Sequence, residues 1–175
     1  MFLGCSKRYA GGARCVLAGS KRNSEPTLMR ESTLRAEVWV PHPPEAIFPF
    51  FSDPRNLQAI TPPWLRFEVL TPLQEMKQRT MIDYRLRVHG FWFNWSSEIT
   101  MWEPPIRFID EQRRGPYRLW IHEHVFEPCR QGTLCKDFVR YAAPGGWLVE
   151  RLFVRRDVER IFAFRQQKLQ EMFGG

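Results

Sequence analysis

Four side chains that alternate along one segment are the clearest chemical signal in the sequence. Trp120, His122, His124 and Phe126 occupy every second position. Alternate residues of a β-strand point to the same face, so two imidazoles and two aromatic rings would lie side by side. Imidazoles placed in this way could bind a metal ion, act as an acid–base pair, or supply polar groups to the wall of a ligand pocket.

Turn residues between the strand-like segments predict how the neighbouring strands pair. The turns expected are a two-residue hairpin at His89-Gly90, a loop at Pro104-Pro105, a three-residue loop at 114–116 and a longer loop around 129–130. The predicted pairs are Val88 with Phe91, Tyr84 with Trp95, Ile99 with Asp110, Met101 with Phe108, Phe108 with His122, Asp110 with Trp120, His122 with Asp137, and His124 with Cys135.

These pairings place one set of residues on an inner face that is apolar and aromatic but also contains acids and imidazoles. A buried polar group without a partner costs about 1–3 kcal/mol, so a solid core would rarely hold this many. Apolar walls with a few convergent polar groups are typical of a ligand pocket. The residues predicted to bind a ligand are Tyr84, Trp95, Asp110, Trp120, His122, His124, Phe126, Tyr141 and Arg165.

More specific hypotheses apply to the polar members of this face. In cupins an H-x-H pair is followed by a glutamate, but Glu127 lies one residue short of that spacing and faces outward. Asp137 or Asp110 could be a third ligand, but no spacing requires it, so no metal ion or other cofactor is predicted. A catalytic pair would use His122 as the base and Asp137 as the carboxylate that orients it. Arg165 lies on the helix face that meets the sheet, where it would pair with Asp110 or Asp137 or bind an acidic ligand group.

Composition narrows the class of protein. The 175 residues predict one domain, and with 43% hydrophobic residues the chain can bury a sizeable core. The net charge of +7 permits an acidic partner, but the outward residues mix both signs, so nucleic-acid binding is not favoured. No apolar run reaches the roughly 20 residues of a membrane span. Four cysteines without CxxC spacing favour reduced thiols and a cytoplasmic location.

Residues 1–31 differ from the rest of the chain. They contain six basic and two acidic residues and have no hydrophobic periodicity, which predicts a disordered basic extension. A targeting segment is the alternative, although no continuous apolar region follows the first basic residues. A translation start near Met29 would also explain the change in composition.

The order of predicted elements from residue 32 to 175 indicates an α+β domain. A strand ends near Val40, and two short helices follow between Pro43 and Ile60. Six strands are predicted at 65–70, 79–88, 91–103, 106–113, 117–127 and 133–141. A long helix runs from about Trp147 to Phe173, with an apolar stripe at helical spacing formed by Val154, Val158, Ile161, Phe162, Leu169 and Met172.

Several segments resemble the SRPBCC superfamily (START/Bet v1-like, polyketide cyclase/dehydrase-like), in particular a bacterial ligand-binding subgroup. They are FPFFSDPRNLQAITPPWLRFEV (48–69), IDYRLRVHGFWFNWSSEI (82–99), EPPIRFIDEQRRGPYRLWIHEHVFEP (103–128), GTLCKDFVRYAAPGG (132–146) and FAFRQQKL (162–169). The resemblance covers about 33–173 and implies a helix-grip fold, in which a curved seven-stranded antiparallel sheet wraps around the C-terminal helix and encloses a cavity.

The resemblance implies binding of a hydrophobic small molecule, such as a lipid, a quinone or a polyketide-like compound. Residues 53–64, with Trp64, are predicted to form part of the mouth of the cavity. A cyclase or dehydratase that uses His122 and Asp137 is an alternative function. Association with the ribosome or RNA is another, since one relative in the family acts at the ribosome and the chain is basic.

Overall fold

The computed structural model describes residues 14–16, 31–72 and 75–174, with the backbone alone at 14–16 and 146–147. Eight antiparallel strands form one sheet in the order β1-β2-β8-β7-β6-β5-β4-β3. The strands are β1 (Arg14–Val16), β2 (Ser32–Val40), β3 (Glu68–Val69), β4 (Met81–Val88), β5 (Phe91–Glu103), β6 (Arg107–Arg114), β7 (Leu119–Cys129) and β8 (Gly132–Ala142).

The helices lie at the two places that the sequence predicts. Helix α1 (Pro44–Phe51) follows β2, and two 3-10 turns follow it at Pro54–Leu57 and Pro63–Leu65. The C-terminal helix consists of α2 (Gly146–Val149), a π-helical turn (Glu150–Val154) and α3 (Arg155–Phe173). The predicted α+β helix-grip fold, a curved antiparallel sheet with a long C-terminal helix, is confirmed.

Alternation along the strands decides which face of the sheet is buried. In β4, Ile82, Tyr84 and Leu86 are buried while the residues between them are exposed. Burial of alternate apolar residues on one face is the main source of stability for such a sheet. On the inner face of α3 the buried residues are Val158, Phe162, Arg165, Gln166 and Leu169, whereas Met172, predicted to lie on that face, is 46% exposed.

The predicted pairing of the first two long strands is correct. Tyr84 pairs with Trp95, and Val88 pairs with Phe91 across His89-Gly90. Both turn residues have positive φ, 49° and 91°, which is the geometry that a two-residue hairpin requires.

In the next hairpin Ile99 pairs with Asp110 as predicted, whereas the β6–β7 and β7–β8 hairpins differ from the prediction by two residues. Asp110 pairs with His122 instead of Trp120, and Phe108 therefore pairs with His124. The reason is a loop longer than three residues, which Gln112 spans by donating from Nε2 to the Tyr117 carbonyl at 2.7 Å. In the following hairpin His122 pairs with Val139, not with Asp137.

Asp137 lies opposite His124, and Cys135 lies opposite Phe126, because the turn between β7 and β8 has only two residues. Arg130 in that turn has a φ of 58°. Both register errors are even numbers of residues, so the side chains of β6, β7 and β8 stay on their predicted faces.

A β-bulge in β5 changes one prediction about faces. The bulge falls between Ile99 and Met101, so that Trp102 pairs with Phe108 and Met101 pairs with Ile109. An extra residue in one strand shifts the alternation by one. Trp102 therefore packs inside against Phe48 at 5.2 Å, in place of the predicted Met101.

Within the predicted N-terminal extension, the structure describes β1, which pairs with β2 and makes eight strands where seven were predicted. The other residues up to 30 lie outside the described ones, and their predicted disorder stays a prediction. Cys135 is free and buried, but Cys129 is disulfide-bonded, so the expectation of reduced thiols is wrong for Cys129. A disulfide does not agree with a reducing compartment, and the cytoplasmic location also stays a prediction.

None of the helices in the described part of the chain combines the length and the apolar character that crossing a lipid bilayer requires.

Candidate functional site

Two histidines and two aspartates meet on the inner face of the sheet. His122 and His124 of β7 have ring centroids 3.7 Å apart. Asp110 comes from β6 on one side and Asp137 from β8 on the other. All but Asp110, which is partly buried, are 5–6% exposed. The three adjacent strands therefore hold a compact polar cluster inside an otherwise apolar interior.

Each histidine contacts both carboxylates. His122 Nε2 lies 2.9 Å from Asp137 Oδ1, and His122 Nδ1 lies 3.6 Å from Asp110 Oδ2. His124 Nε2 lies 3.1 Å from Asp110 Oδ2, and its Nδ1 lies 3.1 Å from Asp137 Oδ1. The pairing of His122 with Asp137 that the sequence predicted is present as a side-chain contact, although the two residues are not opposite each other in the sheet.

Arg165 reaches the same cluster from α3. Its Nη2 lies 3.3 Å from His124 Nδ1, and its Nε lies 3.7 Å from Asp137 Oδ2. A guanidinium only donates, so His124 Nδ1 accepts in this arrangement, and the proton on Nε2 is donated to Asp110. The predicted pairing of Arg165 with an inner-face acid is found with Asp137, at a distance longer than a hydrogen bond.

Burial and the charges of neighbouring groups have opposite effects on the pKa values of the aspartates and of His122 in this cluster. Burial lowers the pKa of His122 from 6.5 to about 4, with help from the neighbouring His124 and despite the two aspartates. Burial alone would raise the pKa of Asp137, but the charge of Arg165, the hydrogen bond from His122 and the contact with His124 outweigh it and hold that pKa well below its usual value. The pKa of Asp110 is also lowered, since the His124 hydrogen bond and the cationic neighbours outweigh burial.

A cavity of about 90 Å³ adjoins the cluster. Its polar wall consists of Tyr84, Ser97, Asp110, His124 and Arg165. Its apolar wall on the sheet side is formed by Ile82, Ile99 and Phe108. The segment that covers it, together with the following loop, contributes Phe50, Phe51, Asp53, Pro54, Asn56, Leu57, Ile60 and Met76.

The polar wall is connected by hydrogen bonds. Ser97 Oγ lies 3.2 Å from the Tyr84 hydroxyl and accepts from Trp95 Nε1 at 3.1 Å. Ser97 Oγ also donates to Asp110 Oδ1 at 3.4 Å. Burial and the charge of Asp110 raise the pKa of Tyr84 well above 10, so the phenol keeps its proton.

Four of the nine residues predicted to bind a ligand border this cavity: Tyr84, Asp110, His124 and Arg165. His122 lies behind His124, in edge contact with Phe162 at 5.3 Å. Phe126 packs against Phe51 at 4.8 Å. The predicted role of the nine residues in ligand binding, and that of His122 and Asp137 in catalysis, stay predictions.

The remaining predicted aromatic residues pack against one another instead of lining the cavity. Trp95 meets Trp120 edge to face at 5.3 Å. Tyr117 contacts Trp120 at 4.8 Å and Tyr141 at 6.1 Å. Edge-to-face and tilted contacts at these separations are favourable, so this end of the interior is a packed aromatic core.

Sequence reasoning missed Ser97 and the covering residues Phe50, Phe51 and Met76. The other covering residues are Asp53, Pro54, Asn56, Leu57 and Ile60, which lie within the segment 53–64 that was predicted at the mouth. Ser97 is 2% exposed, and its alternation with Trp95 and Ile99 was a signal that could have found it. The covering residues gave a weaker signal, because a helix that ends in a 3-10 turn has no simple periodicity. Trp64, predicted at the mouth, instead contacts Phe164 at 5.6 Å.

Solved structures of similar fold agree with the observed architecture. Protein Ms6760 from Mycobacterium smegmatis matches with a TM-score of 0.59 and 15% identity, over 90% of this chain and 97% of that chain. A protein from Thermus thermophilus, TTHA0849, matches with a TM-score of 0.57 and 20% identity, over 80% and 98%. Ginseng major latex-like protein 151 from Panax ginseng gives 0.52 and 14%, over 74% and 96%. At these identities the likeness concerns the fold alone.

No curated protein matches the chain. The family model described as polyketide cyclase / dehydrase and lipid transport matches residues 40–167, which is most of the chain and includes all the residues of the polar cluster. The chain therefore belongs to the polyketide cyclase / dehydrase and lipid transport family, within the superfamily that its sequence resembles.

Proposed function

We propose that this protein binds a hydrophobic small molecule, of the lipid, quinone or polyketide-like class, in the cavity between the sheet and its cover. The observation that carries the proposal is the composition of the wall. Apolar side chains surround most of the space, and Tyr84, Asp110 and His124 converge at one end. A wall of this kind buries the apolar body of a ligand and orients its polar atoms.

Binding of a ligand of this class requires a larger cavity than the one observed. Ligand sites typically enclose about 300–1,000 Å³, several times the 90 Å³ observed. The covering segment between Phe50 and Ile60 is the part that can move at least cost, because it consists of a helix end and a 3-10 turn instead of paired strands.

A second space lies on the outer side of the same cover. A groove of about 650 Å³ is lined in part by Phe48, Trp102 and Pro104, and it shares Asp53, Pro54 and Met76 with the inner cavity. Met76 is 6% exposed and stands between the two spaces. Outward displacement of this shared wall would join the groove to the cavity and create a site of ligand size.

A substitution that fills the cavity tests the proposal. Leu57 lies on the cover and borders the cavity. We expect Leu57→Trp to abolish binding of a fluorescent fatty acid, cis-parinaric acid, measured by fluorescence titration of the purified full-length chain. The matched control is Leu70→Trp, at a site that is 51% exposed and outside the cavity wall.

Saturable binding to the wild type and to Leu70→Trp, but not to Leu57→Trp, would support the proposal. Equal binding to all three proteins would refute the cavity as the site. Native mass spectrometry of the purified wild type adds an independent reading, since a tightly held apolar molecule from the expression host would remain bound.

An enzymatic function is the second candidate, favoured by the 2.9 Å contact between His122 and Asp137. His124 and Asp110 border the cavity, so they would touch a substrate, whereas His122 and Asp137 would position them. A carbonyl substrate would then lose or gain a proton at His124. Turnover of a polyketide-like substrate by the wild type that is lost in His124→Gln, while that variant still binds cis-parinaric acid, would establish this function.

Association with RNA has less support from the described residues. Basic side chains of the outer face pair with glutamates, as in the contacts of Arg113 with Glu98 at 2.7 Å and of Arg107 with Glu103 at 2.7 Å. Cations that are already paired neutralise phosphates poorly. Salt-sensitive RNA binding together with no binding of cis-parinaric acid would favour this alternative over the cavity.

A further inference from the structure

The geometry of the polar cluster points to a function beyond ligand binding. We infer that Asp110, His122 and His124 form a binding site for a divalent first-row transition-metal ion such as Zn²⁺. Each of the three residues offers one ligand atom, and these atoms lie within 4.8 Å of one another. Two imidazole nitrogens and one carboxylate oxygen are a common ligand set for zinc and for non-haem iron.

The separations between the donor atoms match the size of such an ion. Asp110 Oδ2 lies 3.1 Å from His124 Nε2 and 3.6 Å from His122 Nδ1. An ion about 2.1 Å from each of its ligands holds tetrahedral ligands roughly 3.4 Å apart. The third pair, His122 Nδ1 and His124 Nε2, lies within 4.8 Å, so these two nitrogens would move closer together around an ion.

Asp137 supports the two histidines from behind. Its Oδ1 lies 2.9 Å from His122 Nε2 and 3.1 Å from His124 Nδ1, so it contacts the nitrogen of each ring that does not face Asp110. A carboxylate that accepts the second N–H of a metal-bound imidazole fixes the tautomer and the orientation of the ring. Here one carboxylate supplies this support to both rings at once.

The charges of the cluster also favour a cation. With both imidazoles neutral, Asp110 and Asp137 against Arg165 leave one negative charge in a buried place. An ion bound between His124 Nε2 and Asp110 would shift the proton of His124 from Nε2 to Nδ1, which would then donate to Asp137, and Arg165 Nη2 would lose its hydrogen bond to Nδ1.

The remaining coordination position would face the cavity. Asp110 and His124 both border that space, while His122 lies behind them. Three protein ligands with one open position are typical of metal sites that bind water or an oxygen atom of a second molecule. The site would therefore accept an oxygen donor, such as a carboxylate or an enolate, from a molecule in the cavity.

This inference reverses the expectation drawn from sequence spacing. The spacing along β7 predicts no metal site, because Glu127 lies one residue short of the position that a third ligand would occupy after His122 and His124. The third ligand, Asp110, comes from the neighbouring strand, and only its pairing with His122 in the sheet brings it close.

Metal titration of the full-length protein tests the inference without any hydrophobic ligand. After removal of bound metal with EDTA, Zn²⁺ is added in a calorimetric titration, and Co²⁺ is added to record ligand-field absorption. We expect one ion per chain and a change of the His124 tautomer in ¹⁵N-imidazole NMR spectra. Asp110→Asn and His122→Gln should each weaken Zn²⁺ binding by at least tenfold.

The matched control is His89→Gln, because His89 is exposed and pairs with Asp157, far from the cluster in the fold. Its Zn²⁺ affinity should equal that of the wild type. Absence of stoichiometric Zn²⁺ and Co²⁺ binding by the folded wild type would overturn the inference, and so would equal affinity in all four proteins. If the two cluster variants fail to fold, the NMR spectra of the wild type decide, since an unchanged His124 tautomer with added Zn²⁺ contradicts the site.

Discussion

The two ends of the interior use similar residue types in different ways. At one end Trp95, Tyr117, Trp120 and Tyr141 pack ring against ring. At the other end the histidines and aspartates pair with each other beside a cavity. Trp120 and Tyr141 lie on the same face of the same two strands, β7 and β8, as His122, His124 and Asp137. The comparison shows that inward alternation predicts burial, whereas the neighbours across the interior decide whether a buried residue meets a ring or an empty space.

Removing a ring from the packed end should have the largest effect. Trp95 is 5% exposed and contacts Tyr84, Tyr117 and Trp120. We expect Trp95→Ala to lower the free energy of unfolding by about 3–5 kcal/mol, since both burial and packing are lost. Urea denaturation followed by circular dichroism measures this change. A loss below about 1 kcal/mol would mean that this end is not a packed core.

Acid should destabilise the polar end by a somewhat smaller amount. The pKa of His122 falls from 6.5 to about 4 on folding, so the unfolded chain binds more protons between these values and stability decreases as the pH falls through them. The shift corresponds to about 3 kcal/mol. The lowered pKa values of Asp110 and Asp137 act in the same direction at still lower pH.

The measurement is the free energy of unfolding between pH 7 and pH 4 in the presence of EDTA, for the wild type and for His122→Gln. The variant should lose much less stability over this range, because it lacks the titrating ring. Parallel curves for the two proteins would exclude His122 as the source of the pH dependence.

Truncation at the cavity wall should cost less than truncation in the aromatic core. Ile82 is buried, but one side of it borders the cavity and already lacks contacts. We expect Ile82→Ala to lower the free energy of unfolding by about 2 kcal/mol, at the low end of such substitutions. A loss as large as that of Trp95→Ala would indicate that the cavity wall is as tightly packed as the other end.

An exposed ion pair should have the smallest effect and provides a baseline. Arg113 is 44% exposed and contacts Glu98 and Glu111 on the outer face. Solvent screens such pairs, so Arg113→Gln should change the free energy of unfolding by less than about 1 kcal/mol. A larger loss in urea denaturation would show that the outer face contributes more to stability than the comparison assumes.

The sequence was sufficient to predict the fold, most of the inner face and the pairing of His122 with Asp137, but not the contacts of His124 with Asp110 and Asp137. Even-numbered register errors left these predictions intact, because side chains alternate with a period of two. The sequence was not sufficient for the location of the cavity. Trp120 points inward like His124, but a cavity adjoins His124, whereas rings pack around Trp120, and the sequence does not show which neighbours each side chain meets. The rings around Trp120 are those of Trp95, Tyr117 and Tyr141.

The bulge in β5 is a second feature that local pattern did not reveal. Buried and less buried side chains alternate up to Ile99, and the contact of Trp102 with Phe48 shows that the alternation then shifts by one residue. The covering segment was predicted only in part, since Leu57 and Ile60 lie within the segment 53–64 expected at the mouth, whereas Phe50, Phe51 and Met76 were not expected at the cavity.

The most direct test of ligand binding in the cavity is an NMR experiment with methyl-labelled isoleucine. Ile99 is 1% exposed and borders the cavity, whereas Ile106 is 59% exposed on the surface. With bound cis-parinaric acid, the account predicts intermolecular nuclear Overhauser effects from the ligand chain to the Ile99 methyl groups and none to Ile106. Contacts confined to Ile106 and other surface methyl groups, or no contacts at all, would contradict it.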